Sequence, residues 1–293
     1  MKCKICGGNN IRVIYKGKIK TGLLDGYTGK DYEVYQCQEC KTIFNLAYRD
    51  EMDDFYESEE YRKRIDGQSS AKIFYSKYDE LTLDKLNITG TGIFRDKVVA
   101  DIGCGGGAFL DFLSGVSSEI IAIEPSVVYQ DVLKSKGYSS YQYAEEALKD
   151  YANKVDVVTS FDVIEHVEDP QKFVNEMAAL CSDGGRIICG TPTDYPVLRN
   201  LLGEEFDKFI FQVQHPWVFS TKSMRLMFER AGFRNIEIKT MQKYGLGNLI
   251  AWLNERKPRG NISYDFISDA MNSSYMSEMG RLNPEYIVVY AEK

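Results

Sequence analysis

Residues Val98–Leu110 constrain the fold more than any other stretch of the chain. An apolar run ends in Asp101, turns through glycines, and opens a helix pattern in which Phe109, Leu110, Phe112 and Leu113 are apolar. Gly103, Gly105 and Gly107 let the backbone take positive φ and bring a ligand close to bare amides. Such a strand–glycine turn–helix unit is the nucleotide-binding corner of doubly wound α/β folds, although glycine clusters also build tight turns that bind nothing.

The surrounding pattern supports the first meaning. From Lys97 onward, strands are expected at Val98–Asp101, Glu119–Ile123, Ser140–Tyr143, Val155–Phe161 and Gly185–Cys189. Helix patterns fall between them, at Phe109–Leu113, Val127–Lys136, Glu145–Tyr151 and Pro170–Leu180. This alternation predicts a parallel sheet covered on both faces, with ligands at the carboxyl ends of its strands. Glu124 ends the second strand 23 residues after Asp101, where a carboxylate can accept both hydroxyls of a ribose. Asn235–Thr240 and Glu285–Ala291 read as the last two strands. The 44 residues between them far exceed a hairpin's need, so they are expected to form helices over the site or at a homodimer contact.

At the other end, Cys3-x-x-Cys6 and Cys37-x-x-Cys40 are separated by 30 residues. Each pair puts two thiolates on one tight turn, and two such turns close a tetrahedral site suited to a structural Zn²⁺. Neither pair opens a helix after a strand, which disfavours a redox centre. Ile11–Tyr15 and Asp31–Gln36 alternate as the strands of a zinc ribbon would. From Ser70 to Leu86, Ile73, Phe74, Leu81 and Leu86 recur at helical spacing, after an acidic, helix-prone run from Phe44 to Tyr61. Tyr75 and Tyr78 on that helix suit packing better than ligand contact.

A net charge of −7 argues against a nucleic-acid partner, although residues 1–50 alone are net +4. No apolar leader opens the chain and no stretch is long enough to span a bilayer, so a cytoplasmic location is expected.

These motifs resemble the class I S-adenosylmethionine-dependent methyltransferases. Val98–Gly107 is similar to their first motif and Ile121–Ser126 to the second. Asp156–Pro170 resembles the fourth-strand motif, and Gly184–Pro192 the turn and fifth strand. The resemblance covers about residues 95–240. It implies a Rossmann-like doubly wound, mostly parallel seven-stranded sheet with an antiparallel last strand, beside a small N-terminal zinc-ribbon module. It also implies that S-adenosylmethionine is held by Asp101, Gly103, Cys104, Gly105, Gly107, Glu124, Pro125, Ala144, Glu145, Phe161 and Asp162. The acidic-Ala pair that often touches adenine is Tyr143-Ala144 here, which moves that task to the Ala144 backbone or Glu145.

The cysteine knuckle and Gln214–Ser220 are similar to zinc-knuckle methyltransferases of bacterial polysaccharide, sugar and natural-product pathways. That likeness implies a small polar acceptor such as a sugar or nucleotide-linked sugar, methylated at oxygen or carbon. Proton removal from it would fall to His166, His215 or Glu165. The organisation expected is a zinc module at 1–48, a helical linker at 49–94 and a catalytic domain at 95–293, with covering insertions at 191–220 and 241–284. Three alternatives remain open. An RNA or ribosome methyltransferase would use the basic zinc module, with Arg12, Lys16, Lys18 and Lys20, to grip substrate, but the base-methylating motif Asn-Pro-Pro-Tyr is absent. The others are a nicotinamide-dependent oxidoreductase and a non-catalytic cofactor-binding protein.

Overall fold

The computed structural model describes residues 1–22, 26–47 and 71–293; the expected helix-prone run beyond residue 47 and the first part of the linker lie outside them. Apolar runs in the middle of the chain can satisfy their backbone and bury both faces only inside a sheet. Strands β4 (Val98–Ile102), β5 (Glu119–Ile123) and β7 (Val155–Phe161) do this, with nearly every residue buried. β4 pairs in parallel with β5 on one side and with β7 on the other, and β5 pairs in parallel with β6 (Ser139–Tyr141).

The sheet is completed by β8 (Cys181–Pro192), β10 (Arg234–Met241) and β11 (Tyr286–Glu292), in the order β10-β11-β8-β7-β4-β5-β6. Gly184 N–H bonds Lys293 O while Thr193 N–H bonds Glu285 O, so β11 runs antiparallel to β8. Strand order reverses at β4, and its carboxyl end is the Gly103–Gly107 loop. That switch point is where doubly wound sheets bind their ligands.

Helices alternate with the strands at α1 (Ala71–Thr89), α2 (Ala108–Leu113), α3 (Val127–Ser135), α4 (Ala144–Tyr151) and α5 (Pro170–Leu180). The last starts cleanly because Asp169 accepts the Gln171 and Lys172 amides while Pro170 supplies a preset φ. Two elements differ from expectation. β6 ends at Tyr141, because the Glu146 carboxylate accepts the Gln142 amide (3.0 Å) and turns the chain into α4. β8 runs well past both ends of the expected strand, because β11 supplies it with partners as far as Gly184 and Thr193.

A second sheet has four antiparallel strands, β1 (Ile11–Gly17), β2 (Tyr32–Cys37), β3 (Ile43–Asn45) and β9 (Trp217–Val218). The first two are the expected ribbon strands. The last arrives from some 170 residues further on, pairing Trp217 with Phe44. Around it, segment 191–220 forms α6 (Pro196–Leu202) and α7 (Glu204–Ile210), followed by α8 (Thr221–Arg230). The long insertion forms α9 (Leu246–Glu255) and α10 (Asp269–Leu282). Among the described residues no helix is long and apolar enough to cross a membrane.

The chain divides into two compact units. One gathers Met1–Tyr48, Gly190–Arg225 and Ile238–Val288; the other holds Arg49–Cys189, Leu226–Glu237 and Val289–Lys293. In the latter, the buried Phe109 ring meets Phe94 and Phe161 edge-on, with centroids 5.9 and 5.8 Å away. Truncating such a ring loses transfer free energy and leaves a cavity. Phe109→Ala is expected to destabilise this unit by roughly 3–5 kcal/mol, read as a lowered urea midpoint at unchanged slope.

Candidate active site and metal centre

The glycine loop is folded onto the neighbouring strand ends by its own amides. Gly103 and Cys104 donate to Ile123 O (2.7 and 3.3 Å), and Gly107 donates to Cys104 O (3.0 Å). Gly105 donates to Glu124 Oε2 (2.8 Å). The expectation of bare amides therefore needs correction: four of them are already engaged inside the chain. Glycine is required for a second reason. Gly103 has φ +78, and a Cβ there would lie 2.2 Å from Val163 Cγ2. At Gly105 (φ +56) a Cβ would meet the Phe74 ring at 2.7 Å.

Glu124 is buried, and its other oxygen accepts the Ser126 amide (3.0 Å) across Pro125. Its own carbonyl accepts from Gln130 Nε2, which also holds Tyr141 O. Asp101, also buried, accepts the Thr159 hydroxyl at 2.7 Å. Burial pushes its pKa up to about 6, against the opposing pull of Lys85 and of Thr159. Cys104 is buried beside them and its thiol is pushed up by burial.

Asp101, Gly103, Cys104, Gly105, Gly107, Glu124 and Pro125 thus form one connected structure. Phe161 ends β7 under the Lys85 ammonium, 5.2 Å from the ring centroid. Ala144 is buried at the start of α4, whereas Glu145 is exposed and pairs with Lys172 (2.5 Å), which holds its carboxyl low. Asp162 takes φ +58 directly after β7 and is exposed. In the turn that follows, Glu165 is buried and His166 half-buried, with the His166 amide donating to Val163 O.

His215 belongs to the other unit, in a turn where its Nδ1 lies 3.0 Å from Gln212 Nε2. With the Gln212 amide donating to Nδ1, the proton of the neutral ring falls on Nε2. Asn45 Nδ2 braces that turn, donating to Gln212 O and His215 O at 3.2 Å each.

Sequence reasoning missed the groups packed on the glycine loop. Phe74 lies against Gly105 and Gly106 and stacks on Tyr78 at 4.5 Å. The Tyr75 hydroxyl donates to Gly106 O (2.7 Å), and Lys136 Nζ reaches Gly106 O, Tyr75 Oη and Asp111. The aromatic cluster Phe74-Tyr75-Tyr78 was the available signal, but spacing alone does not show what a ring packs on.

Cys3, Cys6, Cys37 and Cys40 converge, with all four sulfurs within 4.8 Å of one another. Cys3 and Cys40 are 3.6 Å apart and Cys6 and Cys37 3.5 Å. A tetrahedral ion with bonds of about 2.3 Å needs sulfurs about 3.8 Å apart, so the cluster fits one. Both knuckles turn alike, with Gly7 (φ +77) and Lys41 (φ +63) in the left-handed region just after Cys6 and Cys40.

A family model described as a methyltransferase domain matches residues 75–238, more than half of the chain. The chain belongs to this methyltransferase family. Over 103 residues it is 31% identical to a ubiquinone biosynthesis O-methyltransferase of Coxiella burnetii, covering 33% of this chain and 44% of that protein. The chain therefore spans less than half the length of that curated relative. A methyltransferase structure from Archaeoglobus fulgidus aligns with TM-score 0.51 and 18% identity, covering 76% of this chain and 99% of that one. A chain from the Haloferax volcanii complex of the Trm112 methyltransferase activator with a methyltransferase aligns at 0.53 and 15%, covering 78% and 96%. At these identities the likeness shows the fold.

Between about pH 4 and pH 6 the folded chain holds the Asp101 proton while the unfolded chain, with its ordinary 3.8, has released it. This group's contribution therefore lowers stability as pH rises through that window, by roughly 3 kcal/mol in all. Asp101→Asn abolishes the effect: its stability relative to the unsubstituted protein is expected to rise by that amount between pH 4 and pH 7 in urea titrations.

Proposed function

We propose that this chain transfers a methyl group from S-adenosylmethionine to a small polar acceptor, a sugar, nucleotide-linked sugar or related metabolite, at oxygen or carbon. The observation that carries the reading is the buried Glu124 carboxylate fastened to the glycine loop through Gly105. It gives a strand-end acceptor for ribose hydroxyls beside a loop that tolerates no side chain at Gly103 or Gly105. The donor supplies an electrophilic methyl carbon on a sulfonium and departs as a neutral thioether.

Asp101 supplies negative charge near such a cation, which in turn favours its ionised form. Methyl transfer is an in-line displacement, so positioning and exclusion of water supply most of the rate. His166, with Glu165 next to it, is the group assigned to remove a proton from the acceptor, and His215 serves as a hydrogen-bond donor. The ubiquinone-pathway relative is named as an O-methyltransferase, which supports transfer to oxygen. Zn²⁺ in the four-cysteine knuckle is structural, since all four ligand positions come from the chain. The basic run of the zinc module does not favour an RNA substrate: Lys16 pairs with Glu33 at 3.2 Å, and Lys20 is buried with its ammonium over the Phe209 ring.

Calorimetry is expected to show binding of S-adenosylmethionine and none of NAD, with Glu124→Ala weakening the former by about tenfold or more. Binding of NAD alone would overturn the reading. Metal analysis is expected to give about one zinc per chain, lost together with several degrees of Tm in Cys37→Ser. A purified protein that is fully folded and metal-free would remove the zinc assignment.

A further inference from the structure

The unit that contains the cysteine knuckle encloses a cavity of about 210 Å³ that the cofactor motifs do not use. Its wall is largely aromatic, with Tyr195, Phe209, Trp217 and Trp252 among the lining side chains. The tryptophans of the wall are held by their neighbours. Trp252 meets Phe206 and Phe209 edge-on, with centroids 4.9 and 4.7 Å away, and β9 pairing fixes Trp217 against Phe44.

Among the described residues, no Asp, Glu, Lys or Arg lines the cavity. A charged group entering it would lose its hydration with no charged side chain among the described lining residues to offset that loss. The occupant is therefore uncharged over the part that enters. The volume equals about seven waters at roughly 30 Å³ each, enough for one six-membered ring.

Polar groups fix what kind of ring. Asn248 is 3% exposed, lines the cavity, and spends its Oδ1 on the Arg259 amide at 2.9 Å. Its Nδ2 makes no hydrogen bond among the described residues. An oxygen of the occupant can pair this donor. Gln212 and His215, bonded to each other, add further polar surface to the wall. Aromatic walls with a few placed donors suit a ring that has a flat apolar face and an oxygen-bearing edge.

We infer that this cavity binds a single uncharged, hydroxylated ring, with its apolar face on the aromatic wall and a ring or hydroxyl oxygen accepting from Asn248 Nδ2. A neutral pyranose and a phenol share this chemistry. The inference rests on the proposed function only in taking this ring to be part of the methyl acceptor; the binding stands on the cavity itself.

Trp217 and Trp252 are the only two tryptophans in the sequence and both line the cavity, so intrinsic fluorescence of the full chain reports its occupancy directly. Titration with methyl α-glucopyranoside and with phenol is expected to give a saturable change for one of them, and that ring identifies the source. The matching charged ring, glucose 6-phosphate or benzoate, is expected to bind about tenfold weaker or not at all. Asn248→Asp keeps the acceptor for Arg259 but removes the donor, and should weaken the neutral ring about tenfold. Its affinity for S-adenosylmethionine, read by calorimetry, should stay unchanged and so report an intact fold. Equal binding of charged and neutral rings, no saturable signal from either neutral ring, or an unaltered ring affinity in folded Asn248→Asp would overturn the inference. Ring binding without S-adenosylmethionine binding would keep the cavity and discard the methyltransferase reading.

Discussion

The hydrogen bond from the Gly105 amide to the buried Glu124 carboxylate ties together the parts on which the cradle depends. It holds the loop at the end of β4 against the end of β5, so the two parallel neighbours are locked at their carboxyl ends as well as along their ladder. A charged acceptor strengthens such a bond, and burial keeps water from competing for it. The same carboxylate fixes Ser126 and hence the entry to α3, which brings Gln130 back onto the Glu124 and Tyr141 carbonyls. One side chain therefore orders the loop, the second strand's exit and the third strand's end.

Much of the sheet was legible because its strands are buried on both faces and so read as short apolar runs between glycines and polar turns. β4, β5 and β7 fall at or within one residue of the bounds expected, and α5 announces itself with Asp169-Pro170. The extent of β8 was not legible, because its outer residues gain partners only from β11, a hundred residues away. Nor was β9: two residues become a strand solely because Phe44 and Ile43 offer them an edge. In the cradle, the types and spacing of Asp101, the glycines and Glu124 could be read directly. What fills the space over the glycines could not, since the Phe74 ring arrives from a separate helix by tertiary packing.

The cysteine knuckle does more than cap the amino-terminal end of the chain. Its third strand carries Asn45, whose side-chain amide grips the carbonyls of Gln212 and His215, and Ser220 Oγ donates to Cys40 O. Lys222 also reaches the Glu39 carbonyl. The four converging cysteines and these bonds thus join the small sheet to a turn and a tryptophan brought in from the far side of the sequence.

The position of β10 at the sheet edge has a consequence for synthesis. It reaches the sheet only through β11, which enters between it and β8. On the ribosome β10 emerges 44 residues ahead of the strand that seats it. During that wait it is an unpaired edge open to the wrong partner. Its composition suits the delay: Arg234, Glu237 and Lys239 punctuate it and none of its eight residues is fully buried, whereas the late-coming β11 is almost wholly apolar and buried. The nascent chain leaves the charged strand exposed and withholds the sticky one until its slot beside β8 already exists.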